Sequence, residues 1–393
     1  MTTLAAVDGP RACRPDEVTG MIALANSVMR QGSAQSFLTD YPLVYTSGNL
    51  PNVQIMKADD TVVSVVPFIP KQIAYADTRF RIGIISPTAT HPEHRRLGYA
   101  GRCLDACIAG MEAAGIELSV LWTLPTTFPF YEMAGFQAVP SQMDWAHCTR
   151  DDAAAFQPGG HTVVTLDADD RNQLNAIAYL HAASPCGVIR SEHDTQALFS
   201  LPRTTTYLAC DEAGKICAYL LHCDGTHKPG ILEAEGTPDA VESLAYHALI
   251  ASEAPKTTVY LTKSASALSM LFQQRLAARV QLMEAGPMMI RINNPDRFLK
   301  AISPWLAAQS RDERYSFSLE IKETRQVIGF DHDPARSEPF KLTSDRVADH
   351  HVITRRELTS LIFGSREENT SELASLLNLR NPFFFPIPML DHS

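Results

Sequence analysis

The sequence predicts an α/β (α+β) protein of mixed sheets with helices on their faces, and three observations predict it. Short apolar runs rich in Val, Ile and Leu, bounded by Gly, Pro and Asp, recur along the chain as strands. Capped amphipathic stretches alternate with them as helices. The 393 residues exceed one domain of about 150 residues. With 45% hydrophobic residues, the chain can bury real cores and is not disordered throughout.

In order, residues 15–29 read as a helix, and the loop TSGNLPN precedes strands at 53–57 and 61–69 in a hairpin. A strand at 79–85 leads to a long helix over 97–114, with Gly115 as its C-terminal cap. The run 116–124 is a buried strand. A short helix then ends at Gly135, and the first block, 1–150, closes after one more strand. The second block, 151–285, opens with a helix after DADDRN. It continues with a hairpin (206–210, 215–223), a strand at 230–235, a helix at 238–252 and a strand at 257–261, repeating the first block's element order. The third block, 286–393, reads as a strand, turn and helix in MMIRINNPDRFLKAI, strands in YSFSLEI and VIGFDHD, and helices at 354–363 and 371–377.

Charge and cysteine usage exclude several classes. The net charge of −10 argues against nucleic acid as the partner, since phosphate binding needs a basic face, and it fits a cationic substrate. No apolar run reaches the roughly 18 residues of a membrane span, and the start lacks a cationic flank before an apolar core, so neither membrane insertion nor a secretory signal is expected. The eight cysteines form no Cys-x-x-Cys pair, which fits reduced thiols in a cytoplasmic setting. Cys103 and Cys107 share a helical face with Leu104, Ile108 and Met111 and read as core thiols. The histidines show no zinc spacing, and no metal is expected.

The chemically informative segment is Thr88-Ala89-Thr90-His91-Pro92-Glu93-His94-Arg95-Arg96-Leu97-Gly98-Tyr99-Ala100-Gly101, between an apolar strand and a long helix. It places unpaired backbone N–H groups at the positive end of a helix, a ready pyrophosphate site. Gly98 and Ala100 let a phosphate approach the backbone, and Arg95 and Arg96 can add charge-assisted hydrogen bonds. Neither Gly-x-x-x-x-Gly-Lys nor Gly-x-Gly-x-x-Gly is present, so it is neither a Walker loop nor a dinucleotide fingerprint. His91 and His94 precede the loop and read as surface residues.

Arg95-x-x-Gly98-x-Ala100 resembles the acetyl-CoA signature of the GNAT superfamily, Arg/Gln-x-x-Gly-x-Gly/Ala. Past the next strand, Phe130-Tyr131-Glu132-Met133-Ala134-Gly135-Phe136 resembles that superfamily's Phe-Tyr-x-x-x-Gly-Phe. The resemblance implies acetyl-CoA as co-substrate. Thr88, Ala89 and Thr90 would end the splayed strand that pairs with pantetheine; Arg95, Arg96, Leu97, Gly98, Tyr99, Ala100 and Gly101 would form the pyrophosphate loop. Thr126 and Thr127 would lie where the next strand opens toward the cofactor arm, and Tyr131 would protonate the leaving thiolate.

The whole layout resembles the enhanced-intracellular-survival family: an active GNAT domain, a degenerate second one and a C-terminal domain like sterol carrier protein. The second block repeats the element order, yet Ala234-Glu235-Gly236-Thr237-Pro238-Asp239 supplies no Arg-x-x-Gly-x-Gly. Residues 288–299 and 352–364 resemble the start and the late helix of that last domain. In that family the C-terminal carboxylate is the general base, by position Ser393. Asp391, His392 or a water are the alternatives, because this chain runs past Pro382-Phe383 into an apolar tail that should dock in a groove.

The function expected is an acetyl-CoA-dependent N-acetyltransferase acting by direct attack in a ternary complex, with a small-molecule or lysine amine as acceptor. Acids in the cleft would attract a cationic amine, and a homo-oligomer is compatible with the resemblance. A non-catalytic acyl-CoA-binding or scaffold protein is the alternative, and a lipid carrier using the third block a further one.

Overall fold

The computed structural model describes residues 6–33, 35–225, 228–263, 266–277, 279–309, 314–364, 379 and 381–392. The chain begins with β1 (Val7–Ala12), α1 (Val18–Met29), α2 (Phe37–Asp40), β2 (Val53–Ala58), β3 (Thr61–Tyr75), β4 (Thr78–Ile85) and β5 (Ala89–Thr90). Then come α3 (Tyr99–Ala113), β6 (Leu118–Trp122), α4 (Phe128–Met133) and β7 (Gln137–Val139). The middle holds β8 (Met143–Cys148), β9 (Thr162–Thr165), α5 (Arg171–Ala182), β10 (Cys186–Ile189), α6 (Glu192–Phe199), β11 (Thr204–Cys210) and β12 (Ile216–Cys223). It continues through β13 (Gly230–Gly236), α7 (Pro238–Ala251), β14 (Thr257–Thr262), α8 (Ala267–Leu276) and β15 (Met283–Glu284). Last come β16 (Met288–Ile292), α9 (Pro295–Ala301), α10 (Ser303–Gln309), β17 (Tyr315–Ile321), β18 (Gln326–His332), β19 (Phe340–Thr343), β20 (His350–Ile353) and α11 (Arg355–Phe363).

Three mixed sheets result. The first runs β1-β2-β3-β4-β6-β16-β7, with β5 and β10 also on β3; the second runs β15-β8-β14-β13-β12-β11-β9; the third runs β19-β18-β17-β20. Each of the first two takes a strand from beyond the expected block limits. β8, ahead of residue 150, pairs with β14, and β16, past residue 286, lies between β6 and β7. Residues 288–292 therefore complete the first sheet, where the sequence suggested the opening of the last block.

Local signals explain most elements. Asp170 accepts from the N–H groups of Asn172 and Gln173 and starts α5. Gly115, with φ +68, turns the chain out of α3, and Ile116 N–H closes back onto the Met111 carbonyl. β3 outruns its expected end at 69 because its second half is paired on both sides, with β4 and with β10. Several elements escape sequence patterning, among them β1, β10 and α6. β1 contains Gly9-Pro10, β10 has four residues, and α6 starts from a Ser191/Asp194 capping box. The expected helix at 371–377 lies outside the described residues.

One large core joins all three sheets, and the apolar tail runs through it. Phe383 and Phe385 are fully buried, their ring centroids 6.0 and 5.4 Å from Phe80. Phe298, Phe363 and Trp305 complete this aromatic cluster. A second core lies under α3, where Cys103, Cys107 and Met111 face Phe68 and Leu121.

Candidate active site

The site begins where two parallel strands stop pairing. β4 and β6 are in register at Ile82↔Leu118, Gly83↔Ser119 and Ile84↔Val120, and their ladder ends there. On the other side of β4, Phe68↔Ile85 is followed by Val65↔Ala89. Three steps along β3 thus face four along the bulged strand, and the extra residue bends Ser86-Pro87-Thr88 away from the sheet. A cavity of about 760 Å³ opens in the fork, lined by Ile85 to Thr88 on one arm and Leu121, Trp122 and Thr123 on the other.

α3 points its N-terminus toward this fork. Arg96 at φ +63 and Gly98 at φ +78 are both left-handed, and the helix begins at Tyr99. A Cβ added to Gly98 or Gly101 would meet no atom within 4 Å, so the approach to the first turn is open. Arg95 Nε donates to the Thr90 carbonyl at 3.3 Å and its side chain lines the cavity.

Tyr131 projects from α4 into the same cavity, 7% exposed, with its ring held edge-on by Phe130 and Phe136. Burial pushes its phenol above the ordinary tyrosine range, opposed by a hydrogen bond from the Thr88 hydroxyl. The phenol therefore keeps its proton at neutral pH. Cys103 and Cys107 sit on the core side of α3, and burial drives the Cys103 thiol up to about 12. Neither thiol is a nucleophile near pH 7.

Of the residues singled out in the sequence, Thr88, Thr90, Arg95, Ala100, Thr127 and Tyr131 line this cavity together. Ala89 is buried in the β3–β5 ladder; Arg96, Leu97, Gly98, Tyr99 and Gly101 form the turn and first turn of α3 beside it. Thr126 is exposed on the short 3₁₀ turn before α4. Ser393 lies outside the described residues. The acids expected in the cleft are absent from its wall: among the described lining residues there is no Asp or Glu.

The rest of the wall comes from distant parts of the chain. Met29 and Arg30 end α1, Phe37 opens α2 and Tyr41 follows it, Lys228 precedes β13, and Met389 and His392 belong to the tail. No local motif marks these residues. The His392 ring stacks on Trp122 at 3.6 Å and 17°, and its Nε2 donates to the Ile387 carbonyl at 3.1 Å, which leaves Nδ1 as the basic nitrogen. Burial and the neighbouring Lys228 ammonium hold His392 well below the ordinary histidine range, so it is neutral at pH 7. Asp391 instead points away, fully buried against Arg190, whose other side grips Glu233 with contacts of 2.8 and 2.6 Å. That engagement removes Asp391 as a free base. Among the described residues, no group of three or more His, Cys, Asp or Glu could hold a metal, and no helix is long and apolar enough to cross a membrane.

Residues 10–139 match the acetyltransferase (GNAT) domain family. This match, over about the first third of the chain, supports an acetyltransferase carried on a GNAT domain. The whole chain has the fold of several solved structures. A probable N-acyltransferase from Enterococcus faecalis aligns at TM-score 0.72 and 17% identity over 98% of this chain and 99% of its own. A GCN5-related N-acetyltransferase from Anabaena variabilis aligns at 0.70 and 14%, over 97% and 99%. Eis1 from Mycobacterium abscessus aligns at 0.64 and 12%, over 97% and 98%. No curated protein sequence matches the chain.

Proposed function

We propose that the protein transfers an acetyl group from acetyl-CoA to a primary amine by direct attack in a ternary complex. The observation that carries this reading is that Tyr131, Thr88 and the arms of the fork share one cavity at the N-terminus of α3. Pyrophosphate would rest on the N–H groups of Leu97 to Gly101, with Arg95 and Arg96 beside it. The pantetheine arm would pair along Thr88–Thr90 and pass Thr126 and Thr127, and backbone N–H groups near Thr88 would polarise the thioester carbonyl. The amine nitrogen attacks that carbon, the C–S bond breaks, and Tyr131 gives its proton to the departing sulfur. His392 Nδ1, on the wall of the same cavity, would take the proton from the amine, with the carboxylate of Ser393, next in sequence, as the other candidate base.

The wider organisation follows the same reading: a catalytic GNAT unit (1–150), a degenerate second unit (151–285) and a sterol-carrier-like unit (286–393), as in Eis-like enzymes, working as a cytoplasmic homo-oligomer. Thiol release from acetyl-CoA across an amine panel tests the activity. Turnover with at least one amine, lost in Y131F, supports the enzyme. Micromolar acetyl-CoA binding with no turnover across the panel would make the protein an acyl-CoA-binding module instead.

A further inference from the structure

The wall facing the fork has an unusual charge pattern. Arg95 lies at the phosphate side and is accounted for by the cofactor. Across the cavity stand two more cations, Arg30 and Lys228, and no Asp or Glu shares the lining with them. Each cation covers an aromatic ring that also lines the cavity: Arg30 lies 4.5 Å from the Phe37 centroid, and Lys228 Nζ lies 5.6 Å from that of Tyr41.

Their charges are incompletely answered. Arg30 Nη2 pairs with Asp40 at 3.2 Å, and its Nε and Nη2 are sealed from solvent without a hydrogen-bond partner among the described residues, so the guanidinium meets the cavity through its remaining edge. Asp40 is shared with Arg203 at 3.7 Å. Lys228 Nζ donates to the Met389 carbonyl at 3.3 Å, and among the described residues no carboxylate comes within ion-pair distance of it. Asp391, the nearby acid, is committed to Arg190. Burial pulls the Lys228 ammonium down to about 8; Asp391, Cys223 and Asp40 oppose this, and Arg30 reinforces it. Lys228 is half-buried, and with no carboxylate in ion-pair range among the described residues its charge favours an anion that arrives with the ligand. Trp122, Phe130, Phe37, Tyr41 and Met389 give the wall apolar surface suited to an apolar body.

We propose that the acceptor is an amine carrying a carboxylate on an apolar, aromatic-sized body, the carboxylate seated between Arg30 and Lys228. This rests on the acetyltransferase reading above and names its substrate class. Polyamines and aminoglycoside-like polycations are disfavoured, since they would bring positive charge against Lys228. In the reaction the acceptor's N–C bond forms as the thioester C–S bond breaks. One proton leaves the amine, and Tyr131 supplies another to the thiolate.

The test uses the full chain and thiol release from acetyl-CoA with matched pairs: phenylalanine against 2-phenylethylamine and tryptophan against tryptamine, with spermidine and kanamycin as polycations. The carboxylate-bearing member should exceed its partner in kcat/KM by about tenfold or more, the worth of one charge-assisted hydrogen bond. In K228Q that ratio should collapse toward unity through the KM of the amino acid, and K228R should retain it. The ratio should also decline above about pH 8, where Lys228 loses its proton. A polycation turned over faster than every amino acid, or a ratio unchanged in K228Q, overturns the proposal. So does acetyl-CoA binding by calorimetry without turnover of either amino acid, an outcome that leaves the cofactor reading standing. Absence of acetyl-CoA binding would instead remove the acetyltransferase reading and this proposal with it.

Discussion

At the residue scale, Tyr131 is the group whose chemistry can be isolated from its packing. Phe130 and Phe136 hold the ring, so Y131F keeps the apolar contacts and removes only the hydroxyl. We expect kcat to fall by about 100-fold or more, with acetyl-CoA affinity and Tm little changed. Because burial raises the phenol above its ordinary value of 10, no loss of activity assignable to Tyr131 should appear below about pH 10 in a kcat–pH profile. Lys228 makes an opposite kind of prediction. Its folded-state value of about 8 lies below the ordinary lysine value of 10.5, so between those limits the unfolded chain binds more protons. Stability should therefore rise with pH across this window, and K228M should flatten the rise in denaturant titrations taken from pH 7 to 11.

At the scale of elements, the turn into α3 is the point of greatest leverage. Gly98 occupies φ +78 as the residue before the helix, and no atom crowds its missing Cβ. G98V should thus cost about 1–2 kcal/mol of stability from backbone strain alone, read by chemical denaturation. Its calorimetric loss of acetyl-CoA affinity should be larger, because the branched side chain would enter the space above the first N–H groups. This part of the site was legible in the sequence because it is local. Arg95-x-x-Gly98-x-Ala100 and Phe130 through Gly135 each act within one turn or helix, and their spacing carries the geometry. Residues assembled by long-range pairing were not legible. The length of β3 depends on β10, more than 100 residues downstream, and the place of β16 depends on a gap between β6 and β7. Arg30, Lys228 and His392 likewise meet only in the folded chain, where these two cations and, among the described residues, no Asp or Glu line the cavity.

At the scale of the whole molecule, the tail ties the sheets together. Phe383 and Phe385 fill the shared core, and Arg190, Glu233 and Asp391 form a buried cluster between the middle sheet and the tail. Tyr219 donates to Glu233, and His181 lies 3.6 Å from it. R190M would strand two carboxylates in the interior, at a cost of about 3–5 kcal/mol, measurable as a lowered denaturation midpoint. The Arg190 guanidinium holds Glu233 well below the usual carboxylate range. Its contribution is thus present above the unfolded value near 4.5 and is lost as pH falls toward the folded one, so acid should destabilise wild type more than R190M/E233Q/D391N. Releasing the tail would also free His392 from Trp122 and reshape the cavity wall formed by His392 and Met389. All of this chemistry depends on the fork accepting an acyl-CoA thioester. The most direct measurement is calorimetric titration of the full chain with acetyl-CoA, run beside G98V. Saturable binding in wild type, weakened at least about tenfold in G98V, is the outcome predicted; equal heats in both proteins, or none in wild type, would contradict it.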